Sequence, residues 1–373
     1  MIKVCHITSV HSWNDSRIFY KECVSLAKCG YDTTLLIVNG IDEVVEGVKI
    51  VNVPFKNNGR LNRIAFTGKV LLKKAIELEA DIYHLHDPEL LRIALRLQKK
   101  TGANVVFDAH EDLPKQIMDK AWIPSFLRKS ISGLAHNYEM KIARKIDGIV
   151  SVTETICERF RKANVNVALV ANFPNLNEMV SYSDLEIQKT QNSVCYVGAL
   201  FETRGIKELV QAINMIDATL YLAGTFSEAE YEQEVKNLPG WSKVEYLGYL
   251  DRKEIIRTLQ KSQIGIVTLH PTKSYKESMP IKLFEYMLAK LPVIASDFEL
   301  WKPIVEKNNC GLMVDPLNPH EIAEKINYLL SNDTLRNEMG ENGYQAVIKN
   351  YTWESQFRNL VELYNRLDKY SIK

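Results

Sequence analysis

Nowhere in its 373 residues does the chain carry about 18 consecutive apolar positions, so no helix-spanning membrane segment is expected. The stretch Met1–Val10 holds one lysine and then reads at once as a strand. It lacks the apolar region and small-residue cleavage site of a secretory leader, and the expected location is cytoplasmic. Cysteine is sparse: Cys5, Cys23, Cys29, Cys157, Cys195 and Cys310 form no C-x-x-C pair, which argues for a reducing compartment and against a zinc site. There is no G-x-G-x-x-G, no Walker loop and no H-E-x-x-H. Without an Asp-x-Asp tripeptide, no carboxylate pair is evident to hold a divalent metal on a diphosphate. A phosphate ligand would have to be neutralised by helix N-termini and basic side chains, with neither metal nor cofactor.

What is present suits a soluble globular protein: 46% apolar and 25% charged residues. The length fits two domains of roughly 150–180 residues each. Net charge is +1, unevenly spread: residues 1–176 hold 25 Lys+Arg against 19 Asp+Glu, and residues 177–373 hold 22 against 27. The first half is therefore the one expected to meet something anionic, unless the imbalance is an accident of surface composition. Nucleic acid is not among the expected partners.

Short apolar runs alternate with helical patterns through residue 170, and the alternation starts afresh at Ser193. Repeated strand–helix units mean a parallel sheet covered on both faces, and two series mean two doubly wound domains. The predicted divisions are 1–175, a linker at 176–192, a second domain at 193–352, and a terminal helix at 353–373. Ligands of such sheets bind beyond the carboxyl ends of the strands.

The richest segment runs from Glu277 to Ser296. Pro280 suits a helix start, where a missing N–H costs nothing. The free N–H groups of Ile281, Lys282 and Leu283 would then form an anion site, to which Lys282 adds a full charge. Glu285, one turn on, could accept hydrogen bonds from vicinal hydroxyls, and Glu277 precedes the helix on its loop. An ordinary capped helix with solvated glutamates is the plain alternative.

This segment, M-P-I-K-L-F-E-Y-M-L-A-K-L-P-V-I-A-S, resembles the E-x7-E region of the family 4 retaining glycosyltransferases, which have the GT-B fold: two Rossmann-like doubly wound parallel-sheet domains facing across a cleft. The resemblance implies that Glu285 binds the donor ribose, that Glu277 contacts the donor sugar, and that the helix N-terminus holds the diphosphate. It also implies that the terminal helix crosses back to the first, acceptor-binding domain, although the aromatic spacing fits a plain terminal helix equally well. Val197–Gly205 is similar to the family's strand–G-R-L-x-x-x-K-G turn, with Gly198 and Arg204 in place and Ala199 where the family has Arg. Asp81–Pro88 and Val105–Asp112 match its D-I-x-H-x-H-D and D-x-H-E segments, which places His110 near the reacting centre. His84 and His86 are read as lying on opposite faces of one strand, so that at most one meets the site, and Asp87 is read as structural. His11–Arg17 resembles an acceptor-side loop, with Asp15 and Arg17 as contacts, an N-cap role being open for Asp15.

The activity implied is transfer of a sugar from a nucleoside-diphosphate donor, UDP- or GDP-linked, to a glycan or lipid-linked acceptor in surface polysaccharide synthesis. His110 and Glu277 are its expected catalytic residues, and Gly198, Arg204, Ile281, Lys282, Leu283 and Glu285 its donor site. A nucleotide-sugar 2-epimerase on the same fold and a non-catalytic scaffold subunit are the alternatives. Basic residues interleaved with apolar ones at Arg60–Lys74 and Arg128–Lys145 suit peripheral docking on the anionic inner face of the cell membrane, or are simply solvated helix faces.

Overall fold

The computed structural model describes residues 1–55, 60–120, 122–176 and 187–367, and the backbone alone at 60–65. Most of the expected linker therefore lies outside the described residues, as do the side chains of Arg60 and Arg63. The chain divides into two compact units, Met1–Asn172 with Ser355–Lys373, and Phe173–Glu354.

The first unit is built on β1 (Lys3–Ile7), β2 (Asp32–Val38), β3 (Glu43–Val45), β4 (Val48–Val53), β5 (Ile82–Leu85), β6 (Asn104–Ala109), β7 (Gly148–Ser151) and β8 (Val167–Leu169). They lie in the order β3-β4-β2-β1-β5-β6-β7-β8, and every pair is parallel except β3 with β4. The second unit holds β9 (Ser193–Val197), β10 (Thr219–Ala223), β11 (Val244–Gly248), β12 (Ile264–Val267), β13 (Val293–Ser296) and β14 (Gly311–Val314), all parallel in the order β11-β10-β9-β12-β13-β14.

The local sequence explains these elements. β5, β7, β12 and β13 are buried at every position, so they read as short unbroken apolar runs rather than alternating ones. The covering helices carry one apolar face. In Leu91–Thr101 that face is Leu91, Ile93, Ala94 and Leu97, and Gly102 at φ 72° ends the helix in the left-handed conformation. Helix Arg252–Lys261 opens on a reciprocal cap between Asp251 and Glu254. Helix Asp333–Asn350 presents glycines to its neighbours: a Cβ on Gly340 would lie 2.4 Å from the Lys290 carbonyl oxygen.

The terminal helix Trp353–Leu367 buries Leu360, Leu363, Tyr364 and Leu367. Gln356 accepts from the Ala171 amide at 3.0 Å, and Asn104 donates to the Leu367 carbonyl at 2.9 Å, which fastens it into the first unit. Among the described residues no helix is long and apolar enough to cross a membrane.

Strand order reverses between β1 and β5 in the first sheet and between β9 and β12 in the second. The loops that leave these strands are where an open α/β sheet holds its ligand.

Candidate active site

In the second unit, β9 runs into Gly198 at φ 138°, a short turn Glu202–Arg204, and Gly205 at φ 72°, which opens helix Ile206–Asn214. Both glycines are required by close approach. A Cβ on Gly205 would meet the Thr268 carbonyl oxygen at 2.0 Å, and one on Gly198 would meet Lys282 Nζ at 2.6 Å. The space a side chain would fill beyond β9 is thus taken by an ammonium group.

Lys282 is 9% exposed, and its Nζ lies 3.8 Å from the centre of the Tyr196 ring. Among the described residues it has no carboxylate or carbonyl partner. Burial, and after it the Arg204 charge, push its pKa well below the usual lysine range. Arg204 sits over Tyr275, its Cζ 4.8 Å from the ring centre, with Nε buried and unpaired. The helix itself is Ile281–Leu288, with Pro280 at its cap. Of the three amides expected to be free, Leu283 N–H donates to the Pro280 carbonyl at 3.1 Å. That leaves the amides of Ile281 and Lys282 without partners among the described residues. Two cations and two open amides at one helix start, with no anion among them, form an electropositive site.

Glu285 is 8% exposed and accepts from Arg252 Nη1 at 2.5 Å. Arg252 was not anticipated, and nothing in its local sequence, an N-capped helix start, signals a partner so far along the chain. Glu277 ends the short turn Tyr275–Glu277, and the next carbonyl, of Ser278, is held by Trp301 Nε1 at 2.8 Å. Ala199 contributes its backbone, its carbonyl accepting from Tyr196 Oη at 3.2 Å.

In the first unit, Asp87 lies just past β5 and accepts from Thr8 Oγ1 at 2.8 Å and from the Ser9 amide at 2.6 Å, tying the β1 loop to β5. Asp15 caps the helix that starts at Ser16, accepting from the Arg17 and Ile18 amides, each at 2.8 Å. Its other oxygen faces His11 at 3.4 Å. Arg17 differs from expectation. It is 4% exposed, and its guanidinium donates to Asp108 at 2.9 Å and to the Val170 carbonyl at 2.9 Å. The side chain is thus enclosed and bonded within the first unit, where an exposed loop contact was expected.

His84 and His86 also correct the reading. Residues two apart on an extended chain share a face. The two rings stack at 4.8 Å between centres, and His6 from β1 stacks on both. All three rings are buried, and burial, foremost, lowers their pKa values, that of His86 to about 4. The neighbouring Asp108 is held well below the carboxylate range because Arg17, and then His110, outweigh the opposing effect of burial. Glu22, at 3.1 Å from Arg17 Nε, is pushed well above its usual range, by burial first and by Asp108 in addition. His110 stands at the edge of this cluster, one-fifth exposed, with Nε2 3.2 Å from Asp108.

Glu22, His84, His86 and Asp108 could each offer one atom to a metal ion, all within 4.8 Å of one another. Arg17 already bridges the two carboxylates, and so brings the positive charge that an ion would supply.

Residues 181–346 match the family model Glycosyl transferases group 1, and residues 16–177 the model Glycosyltransferase Family 4. An uncharacterised glycosyltransferase of Methanocaldococcus jannaschii is 27% identical over 245 residues, which is 65% of this chain and 65% of that one. A phosphatidyl-myo-inositol mannosyltransferase of Mycolicibacterium smegmatis is 21% identical over 345 residues, covering 89% of this chain and 83% of the relative. Among solved structures, sucrose-phosphate synthase from Thermosynechococcus elongatus superposes with a TM-score of 0.80 at 17% identity, over 98% of this chain and 99% of the other. Anabaena HepE in complex with UDP and glucose does so at 0.73 and 12%, over 98% and 100%. At such identities the likeness shows the fold, which is GT-B.

Proposed function

We propose that this chain, which belongs to the family 4 glycosyltransferases, moves a sugar from a UDP- or GDP-linked donor to a glycan or lipid-linked acceptor in surface polysaccharide synthesis. The proposal includes retention of the anomeric configuration and no metal. The observation that carries the reading is the pair of Lys282, buried and without a hydrogen-bonded anion among the described residues, and half-buried Arg204, whose charge acts on it, near the start of helix Ile281–Leu288. Breaking a sugar–phosphate bond leaves negative charge on the departing diphosphate, and preorganised donors in a dry site stabilise it best. Gly198 would admit the phosphate to Lys282, and the amides of Ile281 and Lys282 would receive its oxygens. Glu285, steadied by Arg252, would take the ribose hydroxyls, while Glu277 and His110 orient the sugar.

Thermal shift with UDP and GDP, followed by an assay for donor consumption, tests the reading. Neither nucleotide raising the melting temperature, with no donor consumed, would end it. The Lys282 environment adds a sign. Burial and the Arg204 charge lower its pKa in the free protein, and a bound diphosphate would raise it again, so binding should be linked to proton uptake. Affinity for UDP or GDP should fall as pH rises toward the ordinary lysine range. Calorimetry in two buffers of different ionisation enthalpy should show the uptake, and pH-independent binding without proton uptake would contradict the assignment.

The cytoplasmic, membrane-peripheral location is part of the same proposal. Trp122, Phe126 and Leu134 on and before helix Ser125–Ala143 are 63%, 79% and 70% exposed, and Lys129 in its first turns and Lys141, Arg144 and Lys145 at and beyond its far end are exposed as well. An apolar stripe flanked by cations suits an anionic lipid surface. Sedimentation with anionic liposomes should be strong at low salt and lost at high salt or in Phe126→Glu; absence of low-salt binding would remove the idea.

A further inference from the structure

Three buried imidazoles and one phenol connect His110 to the interior. His110 Nε2 is 3.1 Å from His86 Nδ1, and His86 Nε2 is 2.8 Å from His6 Nδ1. His6 Nε2 is 3.5 Å from Tyr364 Oη, which is 2.6 Å from His84 Nδ1. His84 Nε2, buried and without a hydrogen bond, faces Asp108 Oδ2 at 3.9 Å. The same oxygen lies 3.2 Å from His110 Nε2, so the path begins and ends on one carboxylate.

Each neutral imidazole has one N–H and one lone pair, so the path can run in only two senses. In the first, His110 Nε2–H points at Asp108 and His86, His86 Nε2–H donates to His6, His6 Nε2–H to Tyr364, and Tyr364 O–H to His84. His84 Nε2–H is then directed at Asp108. In the reverse sense the lone pairs of both His110 Nε2 and His84 Nε2 face the ionised carboxylate. Arg17 donates to Asp108 in either sense, and among the imidazoles the reverse sense leaves toward it the N–H of His86 Nδ1, at 3.6 Å against the 3.2 Å of His110. An acceptor-only carboxylate selects the first sense. His110 Nδ1, which has no hydrogen-bond partner among the described residues, is then left as a bare lone pair.

We propose that the run of His86, His6, Tyr364 and His84, which leads from His110 back to face Asp108, acts with that carboxylate as a positioning device that fixes His110 as its Nε2–H tautomer and presents Nδ1 as an acceptor to a sugar hydroxyl. The functional half of this rests on the reading above, in which His110 meets the sugar; the tautomer does not. The four residues of the run act through His110 and touch no substrate themselves.

The test uses the full chain labelled with 15N-histidine, free of ligand, with the His110 signals assigned by their loss in His110→Gln. Wild type should show a proton-bearing Nε2 and an unprotonated Nδ1 at His110. A protonated Nδ1 would overturn the proposal, whether or not sugar transfer is found. Tyr364→Phe removes both hydrogen bonds of the phenol, and the His110 pattern should move toward the other tautomer. Its turnover should drop about tenfold with the donor KM unchanged, the mark of an interaction lost at the transition state. A folded Tyr364→Phe with an unaltered His110 pattern would also overturn it, and the wild-type spectrum decides should that variant not fold.

Discussion

Lys282→Ala is expected to reduce turnover by about 10²–10³-fold, the loss seen when one preorganised donor is removed from a developing oxyanion. The effect should sit at the upper end here. Ala199 stands where the family's turn carries Arg, so the leaving diphosphate would rely on Arg204 and Lys282 alone among side-chain cations of the turn and the helix start. Stability should not fall with activity. The Lys282 amine is buried against Tyr196 with no hydrogen-bonded anion among the described residues, and burial and Arg204 both oppose its charge, so its removal relieves a desolvation cost. Urea unfolding should show the variant at least as stable as wild type, within the cavity cost of the lost methylenes. Lys282→Arg should not rescue, since the head group sits where even a Cβ at position 198 would lie 2.6 Å from Nζ, and a planar guanidinium is bulkier than an ammonium. Wild-type turnover in Lys282→Ala, with the fold intact, would remove the phosphate assignment.

Arg17→Met should cost stability of about 3–5 kcal/mol, the usual penalty for taking one partner out of a buried charged set. Arg17 is the guanidinium that both Asp108 and Glu22 face, and each of the three is at most 4% exposed. Its loss removes the cation that stabilises the Asp108 carboxylate and leaves that charge buried beside the Glu22 carboxyl. Urea titration at neutral pH measures the effect, and a change below about 1 kcal/mol would mean that the network is slack. The wild-type cluster also dictates an acid limit. His6, His84 and His86 stay neutral in the fold, whereas in the unfolded chain they protonate near the ordinary value of 6.5. Below that pH the unfolded state binds more protons, so stability should decline as acid is added, and Asp108, with its depressed pKa, reinforces the decline at lower pH.

Much of the architecture can be read from residues alone, for identifiable reasons. Ile82–Leu85, Ser193–Val197 and Thr219–Ala223 are legible to the residue because parallel strands between helix layers are apolar throughout. β3 is not: it is a three-residue antiparallel edge, Glu43–Val45, without a fully buried residue. Helix Asp333–Asn350 hides because its buried face includes Gly340 and Gly343, which carry no hydrophobic signal. At the site, the helix opening near Lys282 is visible from Pro280 and the apolar run after it. Its closeness to Gly198 is a tertiary fact. The strand period itself puts His84 and His86, two apart on β5, on one face, and the burial of Arg17 is hidden because polarity in a loop does not reveal it. The salt link of Arg252 to Glu285 joins elements 33 positions apart, beyond any local rule.

The first unit is written in two pieces of chain, and that has a consequence for biosynthesis. Tyr364, which completes the imidazole run, and Gln356, which takes the Ala171 amide, are translated only after all 182 residues of the second unit. A nascent chain paused before them exposes the seat of the terminal helix and leaves His84 Nδ1 without its phenol. The earlier-made half must therefore wait, incomplete, while the later-made half emerges. Ribosome-stalled intermediates of that length are where a holdase chaperone would find its client.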